Sequence, residues 1–331
     1  MAQMRLSDIP ERPLQTLYFD HVKIEECAFD AQTGDAGYPW LTLAIDAGTR
    51  MVAGFHLSLA PPSRLSVGLC LLHAVCDKTR WMKERGVAGD WPAAGLPEAV
   101  AADPQSVFGL RAFARACRDE GVATVDLPVR QRVFGALATH MVGGRLGEVL
   151  IAKAQVAVYA PETPRHLRGA VARDMRDLER AVGDGLVNDY HRRRHQDTGR
   201  APIESWRSGD DAENFRAPKD CLRFRLSFLP ETSCVVTESG VSLRGETYWS
   251  RMLAQMLQDG ESRATVRFDP RDHSRIFVRS AGGRFVKAKN VAAPAAAASK
   301  ECDEIAIDAS LAEKRSCRGK CRSSCPFAPA L

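Results

Sequence analysis

The apolar positions of the chain first fall into short β-like runs and then recur at helical spacing. Leu14–Phe19 is a short apolar run that leads into Asp20. Ile24–Phe29 continues in extended style until the turn-rich AQTGDAGY breaks it. Trp40–Ile45 is rich in β-branched and aromatic residues, Asp46-Ala-Gly reads as a turn, and Met51–Leu57 follows as a second strand, so the pair predicts a β-hairpin. Three antiparallel strands are therefore expected before residue 60. Pro61-Pro62-Ser63 then punctuates the chain, with Ser63 as a helix N-cap, and Leu65, Leu69, Leu72, His73 and Cys76 recur at helical spacing to residue 85. Beyond a loop bracketed by Pro92 and Pro97, the pattern predicts strand, helix, strand and helix over 98–102, 109–120, 122–126 and 133–152. The order is β-β-β-α-β-α-β-α, a mixed α/β sheet domain.

An amphipathic helix is expected from Arg168 to Tyr190, with Val171, Met175, Leu178, Val182 and Leu186 on one face, running into Tyr190-His-Arg-Arg-Arg-His195. Five arginines lie between Tyr190 and Arg207 against Asp197 and Glu204. They read either as a solvated helix end suited to the C-terminal dipole or as a phosphate contact. The polar stretch 208–219 reads as a linker. After it the pattern turns β-rich, with strands expected at Leu222–Phe228, Cys234–Thr237, Gly240–Leu243, Thr265–Phe268, Ile276–Val278 and Arg284–Val286. One short helix, Tyr248–Leu257, interrupts them, and the set suggests a small all-β barrel. From Arg263 to Lys289 there are eight Arg or Lys against two Asp, a basic concentration suited to a nucleic-acid backbone.

The 331-residue length allows two domains, and 45% hydrophobic with 26% charged residues is ordinary globular composition. The net charge of +5 says little alone. Seven of the ten cysteines (27, 70, 76, 117, 221, 234 and 302) lie singly, and the polar N-terminus MAQMRLSDIPERP carries no secretory pattern, so reduced thiols in a cytoplasmic protein are expected. The longest apolar run, Val67–Val75, is too short to span a bilayer, so no membrane partner is expected. The low-complexity AAPAAAAS precedes a basic tail with Cys317, Cys321 and Cys325. Their spacing lacks the paired C-x2-C of zinc modules and no His is close, so a disordered tail is preferred to zinc. The expected organisation is an N-terminal extension (1–10), an α/β core with trailing helix (11–207), a linker (208–219), a barrel (220–290) and the tail (291–331).

Longer strings sharpen this. FDHVKIE (19–25), PWLTLAIDAGTRMVAGFHLSLAPPSRLSVGLCLLHAV (39–75), YHRRRH (190–195), FRLSFLPE (224–231) and VRFDPRDHSRIFV (266–278) together resemble the phage Mu-type transposases, DDE members of the retroviral-integrase superfamily. The resemblance covers residues 11–290. It implies a ribonuclease-H-like integrase core followed by a Mu-type C-terminal β-barrel, and a role in DNA integration and transposition. It also implies three carboxylates, two Asp and one Glu, holding two Mg²⁺ or Mn²⁺ ions for phosphodiester cleavage and strand transfer. Hard cations want oxygen ligands, and converging carboxylates offset their charge beside phosphate. Carried over, the first Asp falls on Asp20 and the second on Asp103, the two expected catalytic and metal-binding residues. Asp46 is preferred as a turn residue.

The third position departs from the family. Where Phe-Gly-Gly-x-Ile-Glu-Arg is usual, the chain reads Phe134-Gly-Ala-Leu-Ala-Thr139-His140, so neutral Thr139 stands for the Glu, with 35 residues between it and Asp103. Asp103 is also followed by Pro-Gln-Ser-Val-Phe108 rather than Asn-Gly-x-Glu-Phe. Glu148 and Asp126 are the acids nearest in sequence, and neither is expected to substitute. Expected nucleic-acid contacts are Arg192, Arg193, Arg194, His195, Arg267, Arg271 and Arg275. Three readings stand: a working strand-transfer enzyme, an impaired or inactive homologue retaining DNA binding or a regulatory role, and a basic DNA-binding protein of other ancestry. The resemblance further implies a homo-oligomer on DNA and an AAA+ ATPase partner. Because the first strand starts at Leu14, the helix-turn-helix modules that precede the core in that family are expected to be missing, leaving an N-terminally truncated form.

Overall fold

The computed structural model describes residues 12–31, 34–102, 111–126, 156–157, 171–208, 215–270 and 272–292. They form two compact units, the first ending at Phe228 and the second beginning at Leu229.

The first unit is built on a five-stranded sheet. Its strands are β1 (Thr16–Lys23), β4 (Trp40–Asp46), β5 (Val52–Ser58), β6 (Ala99–Ala102) and β7 (Ala123–Asp126), in the order β5-β4-β1-β6-β7. β4 and β5 pair antiparallel with their neighbours, while β6 and β7 run parallel to β1. An antiparallel hairpin on one side of the first strand and parallel strands on the other is the ribonuclease-H-like arrangement. β1 is central and does not alternate: Leu17, Phe19, Asp20 and His21 are all buried, as expected of a strand covered on both faces. Short strands β2 (Ala28–Phe29), β3 (Ala36–Gly37), β8 (Val156–Ala157) and β9 (Val171–Asp174) make a second small sheet.

Helix α1 (Arg64–Val75) packs on β5. It starts as expected at Ser63, whose hydroxyl accepts from the Ser66 amide (3.3 Å) while Ser66 Oγ accepts from the Ser63 amide (2.8 Å). Close packing is set by two glycines. A Cβ on Gly54 would lie 2.5 Å from the Ala74 amide nitrogen, and one on Gly68 would lie 2.4 Å from the Phe228 Cβ. The helix does not continue to residue 85. Cys76 is extended, the Asp77 carboxylate caps the Thr79 amide (3.0 Å), and a separate α2 (Thr79–Arg85) follows. Buried Lys78 closes the break by donating to the carbonyls of Ala74 and Cys76 (3.2 Å each) and Ala93. Helix α3 is Arg111–Asp119.

Two expected elements are corrected. The helix predicted from Arg168 begins only at α4 (Met175–Asp184), because Val171 and Ala172 pair antiparallel with β8, Arg173 and Asp174 pair in parallel with β2, and the Asp174 carboxylate caps the Arg176 amide at 2.7 Å. After α4 a π-turn (Gly185–Asp189) and a 3₁₀ turn (Tyr190–Arg192) follow, then α5 (Pro202–Arg207). Leu222–Phe228, predicted as a strand, lies in α6 (Cys221–Phe228). Asp220 decides this, since its carboxylate accepts from the amides of Leu222 (2.8 Å) and Arg223 (3.0 Å). Phe224 and Phe228, one turn apart, then pack edge-on at 4.9 Å.

The second unit is a closed barrel of β10 (Glu231–Thr237), β11 (Gly240–Leu243), β12 (Glu246–Trp249), β13 (Arg263–Arg267), β14 (Arg275–Arg279) and β15 (Phe285–Asn290). β10 pairs with β13 to complete the ring. Helix α7 (Arg251–Gln258), capped by Ser250, starts three residues later than expected because Glu246–Trp249 is strand. Val236, Val241, Val266, Ile276, Val278, Val286 and Ala288 fill the interior.

Candidate active site and basic surfaces

Asp20 sits two-thirds along the central strand, 5% exposed, where β1 meets Leu43 of β4. Its Oδ1 accepts the backbone amide of His21 at 2.7 Å. The next side chain takes part in a different set of contacts: His21 Nδ1 pairs with Thr42 Oγ1 at 2.9 Å, and burial pushes the imidazole down to about 4, so it is neutral at physiological pH.

The parallel registers fix levels across the sheet. Thr16, Leu17 and Tyr18 face Ala99, Val100 and Ala101, and Ala101 and Ala102 face Val125 and Asp126. Asp103 and Thr139 lie outside the described residues, as do Glu148, Arg271 and the cysteines at 317, 321 and 325. Asp126 is described in backbone only. It is level with Ala102, the last residue of β6.

Asp46 is a structural residue, as preferred from sequence. It is fully buried at the β4–β5 turn, and its carboxylate accepts from the Leu14 amide (2.8 Å), the Thr49 amide (2.8 Å) and the Thr49 hydroxyl (2.7 Å). Burial, opposed by these hydrogen bonds, pushes the acid up to about 6.

The Tyr190–His195 stretch packs at the β4–β5 turn. Tyr190 donates its hydroxyl to the Arg50 carbonyl (2.8 Å), and Arg50, at φ 64° in the same β4–β5 turn, ion-pairs with Asp197 (3.6 Å). That turn adjoins Leu17, at the N-terminal end of β1, whereas β6 and β7 present their C-terminal ends at the opposite edge. Arg192, Arg193 and Arg194 are exposed there. Arg192 donates to the Val187 carbonyl (3.2 Å), and Arg193 pairs with Asp189. His195 is withdrawn from the surface: it is 6% exposed, its amide donates to the Arg200 carbonyl (2.9 Å), and its Nδ1 accepts the Asp197 amide (3.2 Å).

The barrel organises its charges by strand parity. β13, β14 and β15 pair through Thr265–Arg279–Phe285, Arg267–Phe277–Lys287 and Arg275–Lys289. Even-numbered Ala264, Val266, Ile276, Val278, Val286 and Ala288 are buried, so Arg263, Arg267, Arg275, Arg279, Lys287 and Lys289 share the outer face. Trp249, 45% exposed, pairs with Lys289 beside them. Arg267 pairs with Glu231 (3.1 Å) and lies over Phe285, while Arg275 pairs with Asp272 (3.0 Å), so these two are partly neutralised. Arg263, Arg279 and Lys289 are the more exposed members, and neither they nor Lys287 were among the contact residues expected from sequence. Their signal was present as the odd-numbered positions of three short runs.

Among the described residues no group of three or more His, Cys, Asp or Glu side chains is placed to hold a metal ion. The donor chemistry of Asp20 and Asp103 suits a hard divalent cation. No helix among the described residues is long and apolar enough to cross a membrane.

Two family models match the chain: the TnsB C-terminal domain over residues 18–137 and the Mu transposase C-terminal domain over residues 225–287. The transposase for transposon Tn552 of Staphylococcus aureus is 23% identical over 271 residues, which cover 81% of this chain and 52% of that protein. The transposon Tn7 transposition protein TnsB of Escherichia coli is 33% identical over 70 residues, 20% of this chain and 10% of that protein. The chain thus spans about half the length of the first relative and a tenth of the second. Among solved structures, the catalytic core domain of BIV integrase is similar at 12% identity, a TM-score of 0.30 and coverage of 57% of this chain and 91% of that one. A simian T-cell lymphotropic virus intasome in complex with the PP2A regulatory subunit B56γ is similar at 11% identity and a TM-score of 0.37, covering 87% of this chain and 80% of that one. The fold assignment rests on the strand order, not on these two likenesses.

Proposed function

We propose, for a chain that belongs to the Mu/Tn7-type DDE transposase family and carries its C-terminal domain, a DNA-transposition protein that keeps the fold and the DNA grip but is impaired in strand transfer. Asp20 and Asp103 are the two carboxylates of the site. The observation that carries this reading is the β1–β6 register: Tyr18 pairs with Ala101, and each stands two residues before one of the two acids in the sequence, Asp20 and Asp103. Together they would hold a hard divalent cation, which when bound supplies Lewis-acid stabilisation of the attacking and leaving oxygens of a phosphodiester.

The third position weakens this site. Thr139 contributes a neutral hydroxyl in place of a carboxylate, removing a ligand and a charge. Asp126, at the end of β7, is not counted as a replacement for the missing carboxylate in this reading. Loss of one carboxylate from a two-metal site costs several kcal/mol of transition-state stabilisation, or roughly 10³-fold or more in rate.

The outer face of β13–β15 supplies the DNA grip. Its cations suit phosphate contacts, which hold a duplex without reading its sequence. Arg192, Arg193 and Arg194 form a second, separate phosphate-binding patch. The reading includes assembly as a homo-oligomer on DNA and engagement of an AAA+ ATPase, both carried over from the family resemblance alone.

The test is joining of transposon-end DNA by purified protein with Mg²⁺ or Mn²⁺. Little or no product is expected, with Thr139→Glu raising it and Asp103→Asn abolishing the gain. Robust joining by the unaltered chain that Asp103→Asn eliminates would refute the impairment. Failure to retain DNA at low salt would refute the grip.

A further inference from the structure

Cys76 and Cys221 are 145 positions apart in the chain, yet their sulfurs lie 3.6 Å from each other. Cys76 ends α1 in an extended conformation. Its backbone is fixed on both sides, the amide donating to the Leu72 carbonyl (3.1 Å) and the carbonyl accepting from Lys78 Nζ (3.2 Å). Cys221 opens α6 and is half-buried, whereas Cys76 is only 6% exposed. One thiol is therefore reachable from solvent and the other waits behind it. A disulfide needs its sulfurs at about 2.05 Å, so the pair must close by about 1.5 Å, which side-chain rotation at two residues on element ends can supply. Cys70 and Cys117 differ: both are sealed in the core, and burial pushes their thiols up, Cys117 to about 12.

We propose that Cys221 is a modification site for glutathione-type disulfides and that Cys76 is its resolving thiol, the product being a reversible Cys76–Cys221 disulfide. Cys221 releases its proton to solvent and its sulfur attacks one sulfur of glutathione disulfide. The S–S bond breaks, one glutathione leaves as thiolate, and a mixed disulfide remains on Cys221. Cys76 then releases its proton, attacks the Cys221 sulfur and expels the second glutathione. The two protein thiols are oxidised, one glutathione disulfide is reduced to two glutathione molecules, and the two released protons balance the two departing thiolates.

The bond would tie the C-terminal end of α1 to the N-terminal end of α6, whose other end already meets α1 where Phe228 abuts Gly68. It would also enclose the chain between them, including β6, β7, Asp103 and Thr139. A closed loop of that length restricts the unfolded chain strongly, so the oxidised form should melt roughly 10 °C higher than the reduced one.

The full chain is incubated with glutathione disulfide, alkylated, digested without reductant and mapped by mass spectrometry, with thermal unfolding measured in parallel. The expected result is a linked peptide pair carrying Cys76 and Cys221 and a raised melting temperature, both reversed by dithiothreitol. Cys221→Ser should lose both, and Cys234→Ser should keep both. The proposal is overturned by glutathione that stays on Cys221 without a linked peptide, by no reaction at Cys221, by Cys221 joined to a different cysteine, or by a linked form that melts no higher than the reduced chain.

Discussion

Gly68→Ala tests how tightly the last helix of the core unit is set against α1. The added Cβ would stand 2.4 Å from both Cβ and Cγ of Phe228 and 2.8 Å from its Cδ1. Carbon atoms rest at about 3.5–4.0 Å, so the two helices must part by about 1 Å or the ring must turn. The ring has little freedom, being fully buried between Phe224 (4.9 Å) and Phe113 (5.3 Å). Overpacking of this kind costs about 3 kcal/mol at the upper end of its usual range, while replacing glycine in a helix interior returns about 1 kcal/mol. The net expectation is a loss of about 2 kcal/mol, or roughly 1 M in the urea midpoint at an unchanged slope. Tryptophan fluorescence reports it well, since Trp40, Trp81, Trp91 and Trp206 all lie in the core unit. Phe228→Leu should relieve the clash, so the double variant should be more stable than the sum of the single losses by about 1 kcal/mol or more. A midpoint for Gly68→Ala equal to or above that of the unaltered chain, or strict additivity in the cycle, would refute the argument.

Other expectations follow from buried charge and surface charge. Lys78→Met leaves three carbonyls without their donor and should cost about 3 kcal/mol in the same urea assay; a loss below about 1 kcal/mol would mean the carbonyls find other partners. His191 and His73 are buried and held neutral, chiefly by burial with the Lys78 charge adding to it, His191 down to about 3. The unfolded chain binds their protons below about pH 6.5 and the folded chain does not, so stability should fall as pH drops from 6.5 toward 4, by roughly 5 kcal/mol for His191 over its full range down to about pH 3. Asp46, raised to about 6, acts with opposite sign between its unfolded value and pH 6 and offsets part of this; urea midpoints that stay flat or rise from pH 6.5 to 4.5 would overturn the prediction. In the barrel, Arg279→Ala and Lys289→Ala should each reduce the slope of log affinity against log salt by about 0.9 without changing the urea midpoint; an unchanged slope would remove that face from the DNA contact.

Much of the fold was readable because local signals and tertiary context agree. The Trp40–Asp46 and Val52–Ser58 hairpin, the Ser63 cap and the β6–α3–β7 succession all carry their own turn or cap chemistry. Errors arose where period and cap conflicted. Phe224, Leu226 and Phe228 alternate like a strand, but Asp220 supplies the first helical hydrogen bonds, and all three apolar side chains are buried in the helix anyway. At Val171–Asp174 the apolar spacing ran on into the helix, and the pairing with Ala28–Phe29 that overrides it is 145 residues away in the chain and invisible to a local window. The carboxylate Asp20 was legible by resemblance rather than by pattern, since a buried Asp in a central strand looks like an error to periodicity. The packing of the Tyr190–Asp197 stretch at the β4–β5 turn was not legible at all, because it rests on contacts about 140 residues apart in the chain, Tyr190 to Arg50 and Asp197 to Arg50.

The parity of the barrel strands makes the outer face tolerant of one kind of change and brittle to another. The exposed cations Arg263, Arg279 and Lys289 can be exchanged singly at little structural cost, because each points away from the Val–Ile interior, so the strength of attachment to a polyanion can drift by degrees. Insertion or deletion of one residue within β14 acts differently. It turns Ile276 and Val278 toward water and drives Arg275 and Arg279 into the ring, against two neighbours whose register is already closed around it. Substitution therefore tunes this surface, whereas a change of length abolishes it together with the barrel.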